Sequence, residues 1–146
     1  MNVGDKAPDF ELKDQNEKPV KLSDFSGKKV LIAFYPFAFS PVCADEFTCF
    51  KNDMSQFKNK NTEVVGISVD STWSNKAFAD QLGINYPLLS DFGKTVTKDY
   101  GVLREEGFSN RAYFVVDENG IIKFKHVMDN PGTKLNNDEL LKALEN

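Results

Sequence analysis

The chain has 146 residues, of which 40% are hydrophobic and 13 are phenylalanine, enough for one domain over residues 1–146 with a core that needs no covalent staples. Eighteen basic against 22 acidic residues give a net charge of −4 with no basic run, which argues against a nucleic-acid partner. No stretch approaches the roughly 18 apolar residues of a membrane span, Met1 leads directly into polar sequence without a signal-peptide core, and two cysteines with one histidine, His126, complete neither a zinc site nor a disulfide scaffold. A cytoplasmic protein without metal or cofactor is the expectation.

In chain order, Asp9-Phe10-Glu11-Leu12 and Pro19-Val20-Lys21-Leu22 alternate about Asp14-Gln15-Asn16-Glu17 and predict a small N-terminal hairpin. Lys29 to Tyr35 is a continuous apolar, β-favouring run, followed by a helical stretch from Pro41 to about Lys60. A second such run covers Glu63 to Val69, and helices are predicted from Ser74 to about Leu82 and from Lys94 to Tyr100. Ala112 to Val116 and Ile121 to Lys125 form the last strand pair. They are joined by Asp117-Glu118-Asn119-Gly120, where Asn-Gly accepts positive φ and implies an antiparallel hairpin. Asn137 to Glu145 reads as a closing helix. Continuous rather than alternating apolarity points to strands buried on both faces, and strands alternating with helices imply right-handed crossovers and a largely parallel sheet. The expected fold is therefore α/β, a mixed central sheet of thioredoxin type flanked by helices on both faces.

Chemistry concentrates in Tyr35-Pro36-Phe37-Ala38-Phe39-Ser40-Pro41-Val42-Cys43. Ser40 is a good N-cap and Pro41 suits the first helical position, so Cys43 becomes the third helical residue. There its sulfur lies near unpaired backbone N–H groups and the positive end of the helix dipole, both of which favour an anion. The same cysteine also fits a core position, because Cys43, Phe47, Phe50, Met54 and Phe57 follow helical spacing on one face. Taken alone, Pro36 is a strand-ending proline, Arg111 a surface arginine and His126 a surface imidazole. Glu46 stands one turn after Cys43 and faces the same way.

Pro36, Ser40 and Cys43 stand as Pro-x-x-x-Ser-x-x-Cys, which resembles the peroxidatic-cysteine motif of the peroxiredoxins in the form where Ser replaces the commoner Thr. The resemblance extends from Val3-Gly4-Asp5-Lys6-Ala7-Pro8-Asp9-Phe10 through Leu22-Ser23-Asp24-Phe25-Ser26-Gly27-Lys28 to Val115-Val116-Asp117-Glu118-Asn119-Gly120, and by it the chain is identified as a peroxiredoxin of the bacterioferritin-comigratory (PrxQ) or AhpE-like kind. It implies a thiol-dependent peroxidase that reduces hydrogen peroxide and organic hydroperoxides through a Cys43 sulfenic acid. An external thiol or a thioredoxin- or glutaredoxin-like protein would be the reductant, and the chain a monomer or homodimer. By resemblance Arg111 is the distal arginine that holds the oxygen gaining charge, and Pro36 shapes and shields the pocket; Ser40 lies close to the sulfur in the same first turn, and Glu46, a carboxylate that would oppose thiolate formation, is read as an orienter of Arg111 rather than as a base.

Cys49 departs from the family pattern, whose within-helix resolving cysteine stands five residues after the first, at Thr48 here. Six residues put Cys49 about 240° around the helix from Cys43 and about 9 Å along it, so a disulfide between them requires unwinding. Cys49 falls with Asp45, Asp53 and Gln56, away from the Phe stripe, which predicts partial exposure. Both a resolving role and a thiol without redox role stay open. Two other readings compete: a peroxide sensor oxidised without turnover, and a thioredoxin-like disulfide oxidoreductase, which needs a paired cysteine where Ser40 stands.

Overall fold

The computed structural model describes residues 2–144. The chain builds β1 (Glu11–Lys13), β2 (Pro19–Lys21), a single 3-10 turn (Leu22–Phe25) and β3 (Lys29–Phe34). It continues through α1 (Pro41–Asn52), α2 (Met54–Asn59), β4 (Thr62–Ser68), α3 (Thr72–Leu82), β5 (Leu88–Ser90), α4 (Thr95–Asp99), β6 (Ala112–Val116), β7 (Ile122–Val127) and α5 (Asn137–Ala143). The predicted closing helix reaches Glu145, which lies outside the described residues.

The strands form a seven-stranded sheet in the order β2-β1-β5-β4-β3-β6-β7. Only β3–β4 and β4–β5 are parallel, so the largely parallel sheet expected from alternating elements is corrected to a parallel centre with antiparallel flanks. The physical reason lies in the connections. β3, β4 and β5 step in one direction through α1 and α3, and right-handed crossovers in one direction put both helices on the same face. The chain then passes under the other face through α4 and returns beside β3 in the opposite sense. One apolar core accordingly joins Leu31, Ala33 and Tyr35 to Phe47, Phe57, Phe78 and Leu140, and the other joins Val30, Ile32 and Phe34 to Val96, Tyr100 and Leu22.

The N-terminal hairpin is present and is not a separate appendage: Lys13 pairs with Ser90 of β5, adding β1 and β2 to the main sheet. Gln15, a turn residue in sequence, is buried there. Its amide donates to the Tyr86 carbonyl at 2.9 Å and accepts from the Leu88 N–H at 2.8 Å. β5 itself was not predicted, because three residues after a proline give no periodicity to read.

Two further expectations change. The helix predicted from Pro41 to about Lys60 breaks at Asp53 into α1 and α2; there the backbone turns to φ −101°, ψ 12°, and the Asp53 carboxylate accepts from the Asn137 amide at 2.9 Å. In the β6–β7 turn only Gly120 takes positive φ (82°), while the Asp117 carboxylate accepts from the N–H groups of Asn119 and Ile121, both at 2.9 Å. Gly66 of β4 has a packing role: an added Cβ would stand 3.0 Å from Leu88, 3.1 Å from Phe47 and 3.2 Å from Tyr35. Its bare Cα lets α1 seat Phe47 against the sheet, which fixes the height of the Cys43 helix.

Candidate active site

Cys43 occupies the first turn of α1, as the cap residues predict. Ser40 is the N-cap, its hydroxyl accepting from the Cys43 N–H at 3.3 Å, and Pro41 opens the helix. The loop before it is anchored from the turn that follows β4: the Ala38 N–H donates to the Asp70 carboxylate at 2.7 Å, and the Ser68 hydroxyl donates to the same oxygen at 2.9 Å. Phe39 adopts φ 70°, a conformation that costs a non-glycine residue on the order of 1 kcal/mol or more and persists only where its surroundings enforce it. The Asp70 anchor on one side and the Ser40 cap on the other supply that enforcement. Pro36 is buried at the entry to this loop, directly after Tyr35.

Arg111, one residue before β6, is 1% exposed, which overturns the surface reading of an isolated arginine. All three faces of its guanidinium are committed. One terminal nitrogen donates to the Cys43 sulfur at 3.0 Å, the other to Glu46 Oε1 at 2.7 Å, and Nε donates to the Pro131 carbonyl at 3.0 Å. A planar fork suits this because its donors diverge in fixed directions. The second Glu46 oxygen accepts from the Tyr113 hydroxyl, which in turn accepts from the Leu135 N–H at 3.3 Å. Cys43, Glu46 and Tyr113 are buried as fully as Arg111.

Burial raises the Glu46 carboxyl above its ordinary pKa, opposed by the Arg111 charge and the Tyr113 hydrogen bond. Burial also works against the Arg111 charge, but Glu46 and Cys43 outweigh it and hold the guanidinium protonated. The Tyr113 phenol is pushed up by burial and by the neighbouring carboxylate, so it stays a donor. The site is thus a buried sulfur facing a fixed cation, with a carboxylate behind the cation. Such an arrangement can stabilise a thiolate and then the negative charge that develops on a leaving oxygen.

Cys43, Glu46, Arg111 and Ser40 are brought together, and Pro36 lies in the loop that leads to them. Cys43 satisfies both of its sequence readings, packing in the core with Phe47 and Phe50 while touching Arg111. Cys49 is half-buried, with its thiol free, on the same unbroken helix. His126 is exposed on β7, outside the site. Sequence reasoning missed Tyr113, Asp70 and the carbonyl of Pro131. A signal existed for Tyr113, since residues two apart in a strand share a face and Arg111 points inward.

Residues 3–125 match the AhpC/TSA family. The chain is 42% identical to 2-Cys peroxiredoxin BAS1 of Spinacia oleracea, covering 98% of this chain and 58% of that protein. It is 42% identical to alkyl hydroperoxide reductase E of Mycobacterium tuberculosis, covering 90% of this chain and 88% of that one. The reduced crystal structure of Plasmodium vivax 2-Cys peroxiredoxin superposes with a TM-score of 0.90 at 33% identity, covering 99% of this chain and 95% of that one. The chain therefore spans a little under three-fifths of the BAS1 relative, and along nearly all of its own length it belongs to the AhpC/TSA family, among the peroxiredoxins.

Proposed function

We propose that the protein is a thiol-dependent peroxidase that reduces hydrogen peroxide and organic hydroperoxides in antioxidant defence. The observation that carries the reading is the Arg111 nitrogen 3.0 Å from the Cys43 sulfur, at a Ser-capped helix start and with Glu46 fixing the guanidinium from behind. The Cys43 thiolate attacks one peroxide oxygen: an S–O bond forms, the O–O bond breaks, and the other oxygen leaves with the electron pair and takes a proton to become water or an alcohol. Arg111 donates to the leaving oxygen as its charge grows, the Ser40 hydroxyl orients the peroxide, and Pro36 keeps water from the sulfur. Two equivalents of an external thiol, or a thioredoxin- or glutaredoxin-like dithiol, return the sulfenic acid to thiol with release of water and a disulfide. Cys49 is the resolving candidate. It reaches Cys43 in the same chain only after α1 unwinds, and its partial exposure suits a disulfide with a second chain or a small thiol.

The test is consumption of hydrogen peroxide and of cumene hydroperoxide with dithiothreitol as reductant. Steady turnover that Cys43→Ser abolishes is the expected result. Turnover surviving in that variant refutes the assignment, and a single stoichiometric oxidation without turnover replaces the peroxidase with the sensor.

A further inference from the structure

Glu46 presents a difficulty that Arg111 alone does not resolve. A carboxylate with two oxygens is buried beside a sulfur that must itself carry negative charge, and Arg111 serves only one of those oxygens. The other is served by Tyr113, whose ring is fully buried on β6 with its hydroxyl aimed at Glu46. The direction of that proton is set from the far side. The Leu135 N–H donates to the phenol oxygen at 3.3 Å, which leaves the phenol proton for the carboxylate and strengthens its donation.

Resting on the peroxidase reading for its catalytic consequence, we infer that Tyr113 is a positioning residue: its hydroxyl keeps Glu46 ionised, so that Arg111 stays aimed at the Cys43 sulfur, and it ties this geometry to the backbone between β7 and α5. That segment touches the site twice, through Leu135 to Tyr113 and through the Pro131 carbonyl to Arg111 Nε, and Lys134 pairs with Asp45 on the outer side of α1 at 3.4 Å. The groups that face the Glu46 carboxylate are thus Cys43 from α1, Arg111 from the residue before β6, Tyr113 from β6, and Lys134 from the segment. The buried phenols of Tyr35 after β3 and Tyr86 before β5 feel its charge as well. Among them Tyr113 is the one neutral group that donates to the carboxylate, so its loss removes a hydrogen bond without altering the formal charge of the site.

The experiment follows Glu46 directly, by 13C NMR of protein labelled at the glutamate carboxyl carbons, with the Glu46 signal assigned by its loss in Glu46→Gln. In Tyr113→Phe the midpoint of Glu46 titration rises by at least one pH unit, about tenfold in proton affinity, as expected for loss of a hydrogen bond to a charged group. The acid limb of Cys43 oxidation by hydrogen peroxide moves up with it, a shift that a merely packing role for the ring would not produce. 3-Fluorotyrosine placed at position 113 alone, through a reassigned codon, makes that phenol a stronger donor and moves the midpoint down, while the Tyr35 and Tyr86 phenols stay unaltered, which keeps the test available if the Phe variant folds poorly. A midpoint unmoved by both changes overturns the inference even in an active enzyme. A shifted midpoint supports it even in a chain inert to peroxide, since no peroxide enters the titration.

Discussion

Replacing Arg111 by Lys keeps one positive charge in the site and removes the fork. Arg111 makes three hydrogen bonds in three directions, at 2.7 Å to Glu46, 3.0 Å to the Cys43 sulfur and 3.0 Å to the Pro131 carbonyl. A lysine ammonium that satisfies the carboxylate sits on that side of the cavity and leaves the sulfur and the carbonyl without donors. In the proposed reaction the donor to sulfur is also the donor to the leaving oxygen, and removal of one such preorganised donor costs about 10²–10³ in rate, near 3–4 kcal/mol of barrier. The Pro131 carbonyl, in a half-buried segment, loses its donor as well, a cost to stability of about 1 kcal/mol, that of an ordinary hydrogen bond. Rapid-quench oxidation with excess hydrogen peroxide, followed by mass spectrometry of Cys43, gives the second-order rate constant without a coupled reductant. Arg111→Lys should fall at least a hundredfold while its folded fraction stays high at low temperature. A rate within threefold of wild type would show that charge alone suffices, and would refute the argument from directed donors.

Two further outcomes follow from the same geometry. Since the Glu46 pKa is raised in the fold, the native state holds a proton more tightly than the unfolded chain, and the wild type loses stability as pH rises from the ordinary carboxylate value, roughly 4.3, through the raised one. Glu46→Gln cannot lose that proton, so the stability of wild type relative to variant should decline across this window in urea titrations at a series of pH values; a pH-independent difference contradicts the raised pKa. Cys49→Ser should leave the first oxidation of Cys43 unchanged, yet accumulate sulfenic acid and overoxidise faster under excess peroxide, where wild type forms a disulfide. Free Cys49 thiol in fully oxidised wild type, with equal overoxidation in the variant, assigns resolution wholly to an external thiol.

The position of Cys43 was legible in the sequence because it is a local property: Ser40, Pro41 and Cys43 lie within four residues, and capping depends on backbone geometry that those residues set themselves. The buried strands were legible for a related reason, since continuous apolar runs such as Val30 to Phe34 and Ala112 to Val116 have few other places to go. What packs beside a residue from far along the chain was not legible. β5 takes its strand form from β4 on one side and β1 on the other, and the Asp53 side chain, at the break between α1 and α2, finds its partner in Asn137, 84 residues later. The role of Arg111 was readable only by resemblance, because a buried cation is stable only where partners are supplied, and here they come from α1, 65 and 68 residues earlier, and from a loop 20 residues later. Tyr113 carried a strand's inward periodicity and nothing more in the sequence. Its hydroxyl gained a function only when tertiary packing set the second Glu46 oxygen in front of it and the Leu135 N–H behind it, since the cost of burying each polar group fixes which partners it must find.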